Sequence, residues 1–367
     1  MARIDPRDSS AHHRERADFR ARLLAVFFIS TAVSLAGCGR DAPKEEGNVA
    51  PGMEAAAAEA ALLSGKRILL VHSYHADYPW VDAITRGVRW TLKGTGIDLR
   101  VFYMDTKRNT GEEWKRRAGE RAFAEAEAYG ADLVLTVDDN AQRYLGERLV
   151  GGSRPVVFCG VNGEPADYGY PAPNVTGVVE RLHFRRTLDL LARLRPYRRI
   201  AILSSDDPTS AGAIAYMRTV PVDVDVVEWI LADTFTEWKE AVRRFNRTVD
   251  AFGVYSYHTI HEEGDSTSLD PQTVMEWTRR NASVPTFGFS EFGIEDGLLV
   301  GVAVSGFEHG EKAAQYALEI LRGTPIERLP VIEANVGTPI LNQTTADKLG
   351  LAVDPSLAAE VRFATNH

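Results

Sequence analysis

From residue 67 onward, short apolar runs alternate with segments of helical periodicity, and each run stops at polar or aromatic side chains. A run such as Ile68 to Val71 suits a strand buried on both faces, as in parallel sheets covered by helices. Strand and helix in alternation imply βαβ units with right-handed crossovers. Ligands in such sheets collect at the carboxyl ends of the strands, so the residues that interrupt each run are the first candidates for a site.

The first run, within RILLVHSYHADYPW, breaks at His72, Ser73, Tyr74 and His75 before a helix with Trp80, Ile84, Val88 and Leu92 on one stripe. Residues 98–104 read as the next strand. Thr110 and Glu113 have the spacing of a capping box, in which each side chain satisfies a backbone amide of the first helical turn. Strands at 132–137 and 155–159 lead to Asp138, Asp139 and Asn140, and to Gly160, Val161 and Asn162. Residues 174–179 read as a strand entering a second unit, in which the alternation restarts.

There, a helix at 184–194 precedes a strand at 199–203 that ends in Ser204, Ser205, Asp206 and Asp207. Residues 222–230 are β-rich. Thr234 and Glu237 form a second capping-box pattern ahead of Trp238, Val242 and Phe245. The strand at 251–255 ends at Tyr255, Ser256, Tyr257 and His258; the strand at 284–289 ends at Ser290 and Glu291; and a strand at 298–303 precedes a helix at 307–321. Two successive α/β units, each with a row of polar strand ends, imply a bilobed molecule with a cleft.

At 44% apolar and 25% charged, the chain has the composition of a folded protein rather than a disordered one. Its net charge of −9 argues against nucleic acid, which requires a basic face. Of its two cysteines, Cys159 lies in an apolar run and reads as a buried thiol. Cys38 follows six arginines and an uncharged stretch ending Leu35, Ala36, Gly37. That stretch, residues 23–36, is shorter than the roughly 20 apolar residues a stable membrane helix needs. It resembles the lipobox of bacterial lipoproteins, which implies removal of residues 1–37, lipidation of Cys38, a flexible tether over 38–65 and a place in the cell envelope on the periplasmic side.

No nucleophile elbow, P-loop, H-E-x-x-H or dinucleotide fingerprint is present. The expectation is therefore binding without a cofactor. Ser73, His75 and Asp138 are the one hydrolase set the strand ends offer. His72 and His75, with His258, His261 and Glu262, offer a metal site if the two strand ends meet. Tyr74, Tyr78, Trp80, Tyr255, Tyr257 and Phe289 favour a flat or partly apolar solute, and Asp138 and Asp206 suit an amine.

The runs at 155–162, 174–180, 191–203 and 284–323, in that order and spacing, resemble the ABC-transporter substrate-binding proteins that include tryptophan-binding lipoproteins. The resemblance implies two Rossmann-like lobes with parallel sheets flanked by helices, in the type I periplasmic binding-protein arrangement, with three crossings between them. Residues 66–177 and 304–330 would form lobe 1, and 178–303 with 331–367 lobe 2. Where relatives often carry a threonine after the third strand and an Asp-Asn pair in the second lobe, this chain has Asp138, Asp139, Asn140 and Ser256, Tyr257, His258.

Strand-end logic and the resemblance together nominate Ser73, Tyr74, His75, Asp138, Asp139, Asn140, Asn162, Ser205, Asp206, Tyr255, Tyr257, His258, Ser290 and Glu291. The function implied is capture of a small organic solute, such as an aromatic amino acid, by a monomer anchored through lipid on Cys38 that delivers to an ABC permease. The alternatives are a ligand sensor feeding a membrane kinase or cyclase, and a metal-binding receptor.

Overall fold

The strands of the first lobe are β1 (Arg67–His72), β2 (Asp98–Tyr103), β3 (Leu133–Val137), β4 (Val156–Val161) and β5 (Val175–Val179). The computed structural model describes residues 61–365. Between the strands run α1 (Pro79–Thr91), α2 (Glu112–Tyr129) and a helical stretch that begins as α3 (Asp138–Ala141), loosens to a π turn and ends as α4 (Glu147–Leu149). The second lobe begins with α5 (Phe184–Leu194) and continues through β6 (Arg199–Ser205), α6 (Pro208–Thr219), β7 (Asp225–Ala232), α7 (Phe235–Thr248), β8 (Ala251–Val254) and α8 (Pro271–Asn281). Next come β9 (Thr286–Gly288), α9 (Glu291–Glu295), β10 (Val300–Val304), α10 (Gly306–Leu321), β11 (Ile332–Glu333), β12 (Gly337–Leu341) and, at the end, β13 (Arg362–Phe363).

These strands make two sheets, ordered β11-β5-β4-β3-β1-β2 and β13-β12-β10-β9-β8-β6-β7. Every pairing is parallel except β10 with β12. The burial of β1, β3 and β4 fits helices on both faces: Ile68 to Val71 and all of β3 and β4 are buried. In the second lobe, Trp238, Phe245 and Phe252 pack with Val254 and Ile294 in one core layer. A fully buried side chain of this kind stabilises the fold by roughly 1.5–3 kcal/mol.

The chain crosses between the lobes three times: after β5, between β10 and α10, and between β11 and β12. Two crossings fall later than expected. Residues 174–179, read as entering the second unit, form β5 inside the first sheet, paired with β4. Ile332 and Glu333 pair in parallel with Val178 and Val179, so the last crossing follows residue 333 rather than 330. Unpaired edge groups explain both shifts, since each strand gives backbone partners to the one before it.

The two capping-box patterns part ways. At Thr234 the box is complete: its side chain accepts from the Glu237 amide, and Glu237 accepts in return. Thr110 does not cap α2, whose N-cap is Gly111; its hydroxyl donates to the Ser266 carbonyl 3.1 Å away. A tertiary partner on the opposite lobe outcompetes the local bond. The lipobox, Cys38 and most of the expected tether lie outside the described residues, whereas Cys159 is a buried free thiol. Among the described residues no helix is long and apolar enough to cross a membrane.

Helix α10 lies along α1, and glycines permit the approach. A Cβ on Gly310 would stand 2.1 Å from the Ile84 carbonyl oxygen, and one on Gly87 2.2 Å from that of Phe307. Gly310→Ala therefore destabilises the chain, because overpacking costs about 1–3 kcal/mol and outweighs the roughly 1 kcal/mol by which alanine favours a helix. Urea unfolding checks this: the midpoint drops at constant slope, whereas an unchanged midpoint would show that the helices separate freely.

Candidate functional site

Strand ends of both lobes wall a cavity of 40 Å³ lined by Tyr74, Tyr78, Trp80, Lys107, Asp138 and Glu180 from the first lobe and its exit. Thr209, Tyr255, Ser256, Phe289, Ser290 and Phe292 line it from the second lobe. At this volume the cavity is far smaller than ordinary small-molecule sites of roughly 300–1,000 Å³. A larger groove of 630 Å³ shares Tyr78, Trp80, Ser290, Phe292 and Val304 with it and runs outward past α1 and α9.

Asp138 is the most constrained residue of the cavity. Its φ is 64°, a left-handed conformation that costs a non-glycine residue about 1–3 kcal/mol. It is 1% exposed, and its Oδ1 accepts from the Trp80 indole at 2.8 Å, while Oδ2 is buried with no hydrogen-bond partner among the described residues. Burial, and after it the nearby Glu180 carboxylate, hold the Asp138 carboxyl well above the usual range. Glu180, where the chain leaves β5, is pushed up to about 8, first by burial and then by Asp139. Burial also keeps the phenols of Tyr74, Tyr78 and Tyr255 protonated, available as neutral donors.

Lys107 brings the opposing charge. It comes from the loop after β2, with Nζ 4.4 Å from the Tyr74 ring centre and 5.5 Å from that of Tyr78. On the other lobe Nζ donates to Ser256 Oγ at 3.4 Å and stands 3.9 Å from Asp207 Oδ2. Around it the lobes are joined by Tyr74 OH with Thr209 Oγ1 at 2.8 Å, by Ser268 Oγ donating to the Lys107 carbonyl at 2.5 Å and by a bridge between Asn109 and Thr267.

Of the nominated residues, Tyr74, Asp138, Tyr255 and Ser290 line the cavity. His75, His258 and Glu291, with Ser290 again, line the outer groove. The others lie away from both. Ser73 Oγ donates to the Val137 carbonyl at 2.7 Å and accepts from the Ala141 amide at 2.8 Å, stitching β1 to β3 and α3. The hydrolase set fails there, since that hydroxyl is bound to backbone and not to His75. Asp139 accepts from the Gly163 amide and the Tyr168 hydroxyl, so it braces the loop after β4. Asn140 donates to Thr106, and Asn162 donates its amide to Asp139. Ser205 donates to Asp207, Asp206 is exposed outside the cavity, and Tyr257 lies behind His258 with its hydroxyl on Asp296.

The histidine pairs do not converge. His72 is buried within β1, stacked on Tyr103 with Nε2 on Thr85, while His261 contacts Asp233. Among the described residues no group of three or more His, Cys, Asp or Glu side chains is placed to hold a metal ion. The metal receptor reading therefore lacks its ligand set.

Lys107, Glu180, Thr209 and Phe292 line the cavity without standing among the strand-end candidates, for different physical reasons. Glu180 directly follows β5, whose end lies two residues past the crossing expected after residue 177; its place just past NVTGVV is the available signal. Thr209 and Phe292 stand on the helices that follow β6 and β9, beyond the strand ends considered. Lys107 sits in a loop whose sequence carries no signal for the site.

A family model described as ABC transporter substrate binding protein matches residues 77–362. No curated protein matches the chain. Among solved structures, an ABC domain in complex with L-Trp from Streptococcus pneumonia is 18% identical, with a TM-score of 0.65, over 82% of this chain and 100% of that one. A conserved domain protein from Vibrio cholerae is also 18% identical, with a TM-score of 0.66, over 82% and 99%. The ligand-free, open structure of a substrate binding protein with adhesive properties from Clostridium difficile is 16% identical, with a TM-score of 0.61, over 82% and 100%. At these identities the likeness establishes the fold.

The raised carboxyl of Glu180 ties stability to pH. Unfolded, its pKa is roughly 4.3. Folded, it is about 8, so between these values the folded chain holds a proton that the unfolded chain has released. Its contribution to stability is full below the lower value and is lost as pH rises through the upper one. His72, His258 and His309, kept neutral by burial, act with the opposite sign, so the comparison has to be differential. Measured from pH 5 to 9, the stability of wild type relative to Glu180→Gln falls with rising pH. A constant difference would mean that Glu180 is ionised throughout.

Proposed function

The chain belongs to the ABC transporter substrate binding protein family, and on that premise we propose that it closes its two lobes on a small aromatic amine, an aromatic amino acid being the simplest case, and hands it to an ABC permease. Asp138 is the observation that carries this reading. A buried carboxyl oxygen without a protein partner among the described residues is unsatisfied in a dry site, and an ammonium group donating to it would favour the ionised form that burial opposes and form a charge-assisted hydrogen bond. The ring of such a solute would meet Tyr74, Tyr78, Trp80, Tyr255, Phe289 and Phe292, which supply apolar faces and stacking. Lys107, Thr209 and Ser290, which line the same cavity, would donate to a carboxylate or other acceptor of the solute.

The mechanism follows from the joints between the lobes. Lys107 on Ser256 and Asp207, and Tyr74 on Thr209, favour the closed state; a solute adds contacts to both lobes that exist only when they are closed. Closure would then report occupancy to the permease. Anchoring through Cys38 would keep the receptor within reach of it and so raise its effective concentration.

A thermal-shift titration with L-tryptophan, phenylalanine and tyrosine tests the reading. A bound solute at about 100 times its Kd stabilises by roughly 2.7 kcal/mol and raises Tm. Asp138→Asn weakens binding at least tenfold, and asparagine tolerates the left-handed backbone at this position, so the variant folds. Equal affinity in the variant, or no shift with any aromatic amine, would overturn the assignment. Separately, palmitate labelling of the expressed chain is lost in Cys38→Ala; retained labelling would place the anchor elsewhere.

A further inference from the structure

The outer groove holds more than an entrance requires. Six carboxylates line it, those of Asp77, Asp82, Asp270, Glu291, Glu295 and Asp296, against the single guanidinium of Arg86. Arg86 is committed to Asp82 at 2.9 Å, and Arg362 pairs with Glu291 at 2.6 Å and Glu295 at 3.4 Å. Asp77 and Asp270 are exposed and form no ion pair among the described residues; Asp270 Oδ1 accepts only the Gln272 amide that it caps. The groove's two histidines add no charge at neutral pH, because burial lowers both.

At its inner end stands His258, 7% exposed, with Nδ1 buried and unpartnered among the described residues. Its ring lies 4.7 Å from Tyr78 and 5.2 Å from Phe292, the two residues that also wall the inner cavity. The groove and the cavity are therefore successive parts of one path from solvent to Asp138. The 40 Å³ inner part is far below the roughly 300–1,000 Å³ of ordinary small-molecule sites, whereas the 630 Å³ outer part falls within that range. A negative channel that narrows to a ring of aromatic faces attracts cations along its length and stacks what reaches the end.

We infer that the solute is an elongated aromatic amine with a second cationic group, its ring and first amine held in the cavity at Asp138 and its tail laid along the acidic groove toward Asp77 and Asp270. The inference rests on the core reading and extends it from a single amino acid to a dicationic, two-part solute such as an aromatic-basic dipeptide. The groove carboxylates select the tail by charge. The unpartnered nitrogen of His258 offers the tail's backbone a hydrogen bond where it leaves the cavity.

Calorimetry on the full chain with three probes separates the two readings: L-tryptophan, the dipeptide L-tryptophyl-L-lysine, and L-tryptophyl-L-norleucine, which keeps the tail without its amine. At low salt the lysine dipeptide binds about fivefold tighter than the norleucine one, the scale expected for exposed charge pairs. The gap closes above about 0.5 M salt, where the Debye length falls to a few ångströms. It also closes in the double variant Asp77→Asn/Asp270→Asn, in which asparagine at 270 still caps α8. Equal affinity of the two dipeptides while tryptophan still binds would overturn the groove inference and leave the core assignment standing. A gap that survives both salt and the double variant would overturn it too, by placing the second cation elsewhere. Failure of all three probes would overturn both readings together.

Discussion

Everything in this molecule depends on where a parallel sheet leaves its polar ends. A strand with helices on both faces must be apolar along its length, so whatever polar chemistry the chain carries is pushed to the strand termini. Right-handed crossovers then bring every carboxyl end to the same edge of each sheet. In this chain the two edges face one another, and the cavity is walled from both: by Tyr74 and Asp138 after β1 and β3, and by Tyr255 and Ser290 after β8 and β9.

The price of that arrangement is buried charge. Asp138, Asp139 and Glu180 lie within one shielded region, and burial pushes each carboxyl up. The three are handled differently. Asp139 is satisfied by backbone amides and the Tyr168 hydroxyl, so it braces the frame, whereas Asp138 has one oxygen engaged by Trp80 and the other without a hydrogen-bond partner among the described residues. A strained left-handed backbone holds that oxygen in place. Strain and an unmet polar atom at a single residue are the two features on which the proposed ligand contact at Asp138 rests.

Much of the fold was legible in the sequence, because strand burial and helical stripes are local patterns. The stripe through Ile84, Val88 and Leu92, the capping box at Thr234 and the apolar runs of β1, β3 and β4 all reflect packing that each segment carries by itself. Local pattern gives way where a distant group intervenes. Thr110 found the Ser266 carbonyl across the cleft rather than its own helix, and the last crossing waits until Ile332 and Glu333 have completed the edge of the first sheet.

The site was legible only as a set of strand ends, some of which turned out to be braces. Adjacent residues divide between the two roles: Tyr74 and Asp138 line the cavity, while Ser73 and Asp139 are bonded into the frame. By itself the sequence determined the two α/β lobes and the edge at which polar residues gather, since both follow from hydrophobic periodicity and crossover handedness. Tertiary structure alone decided that Lys107, Glu180 and Thr209 join Asp138 around one cavity. They come from a loop, a crossing and a helix start, and their positions are set by how the two lobes meet rather than by any pattern along the chain.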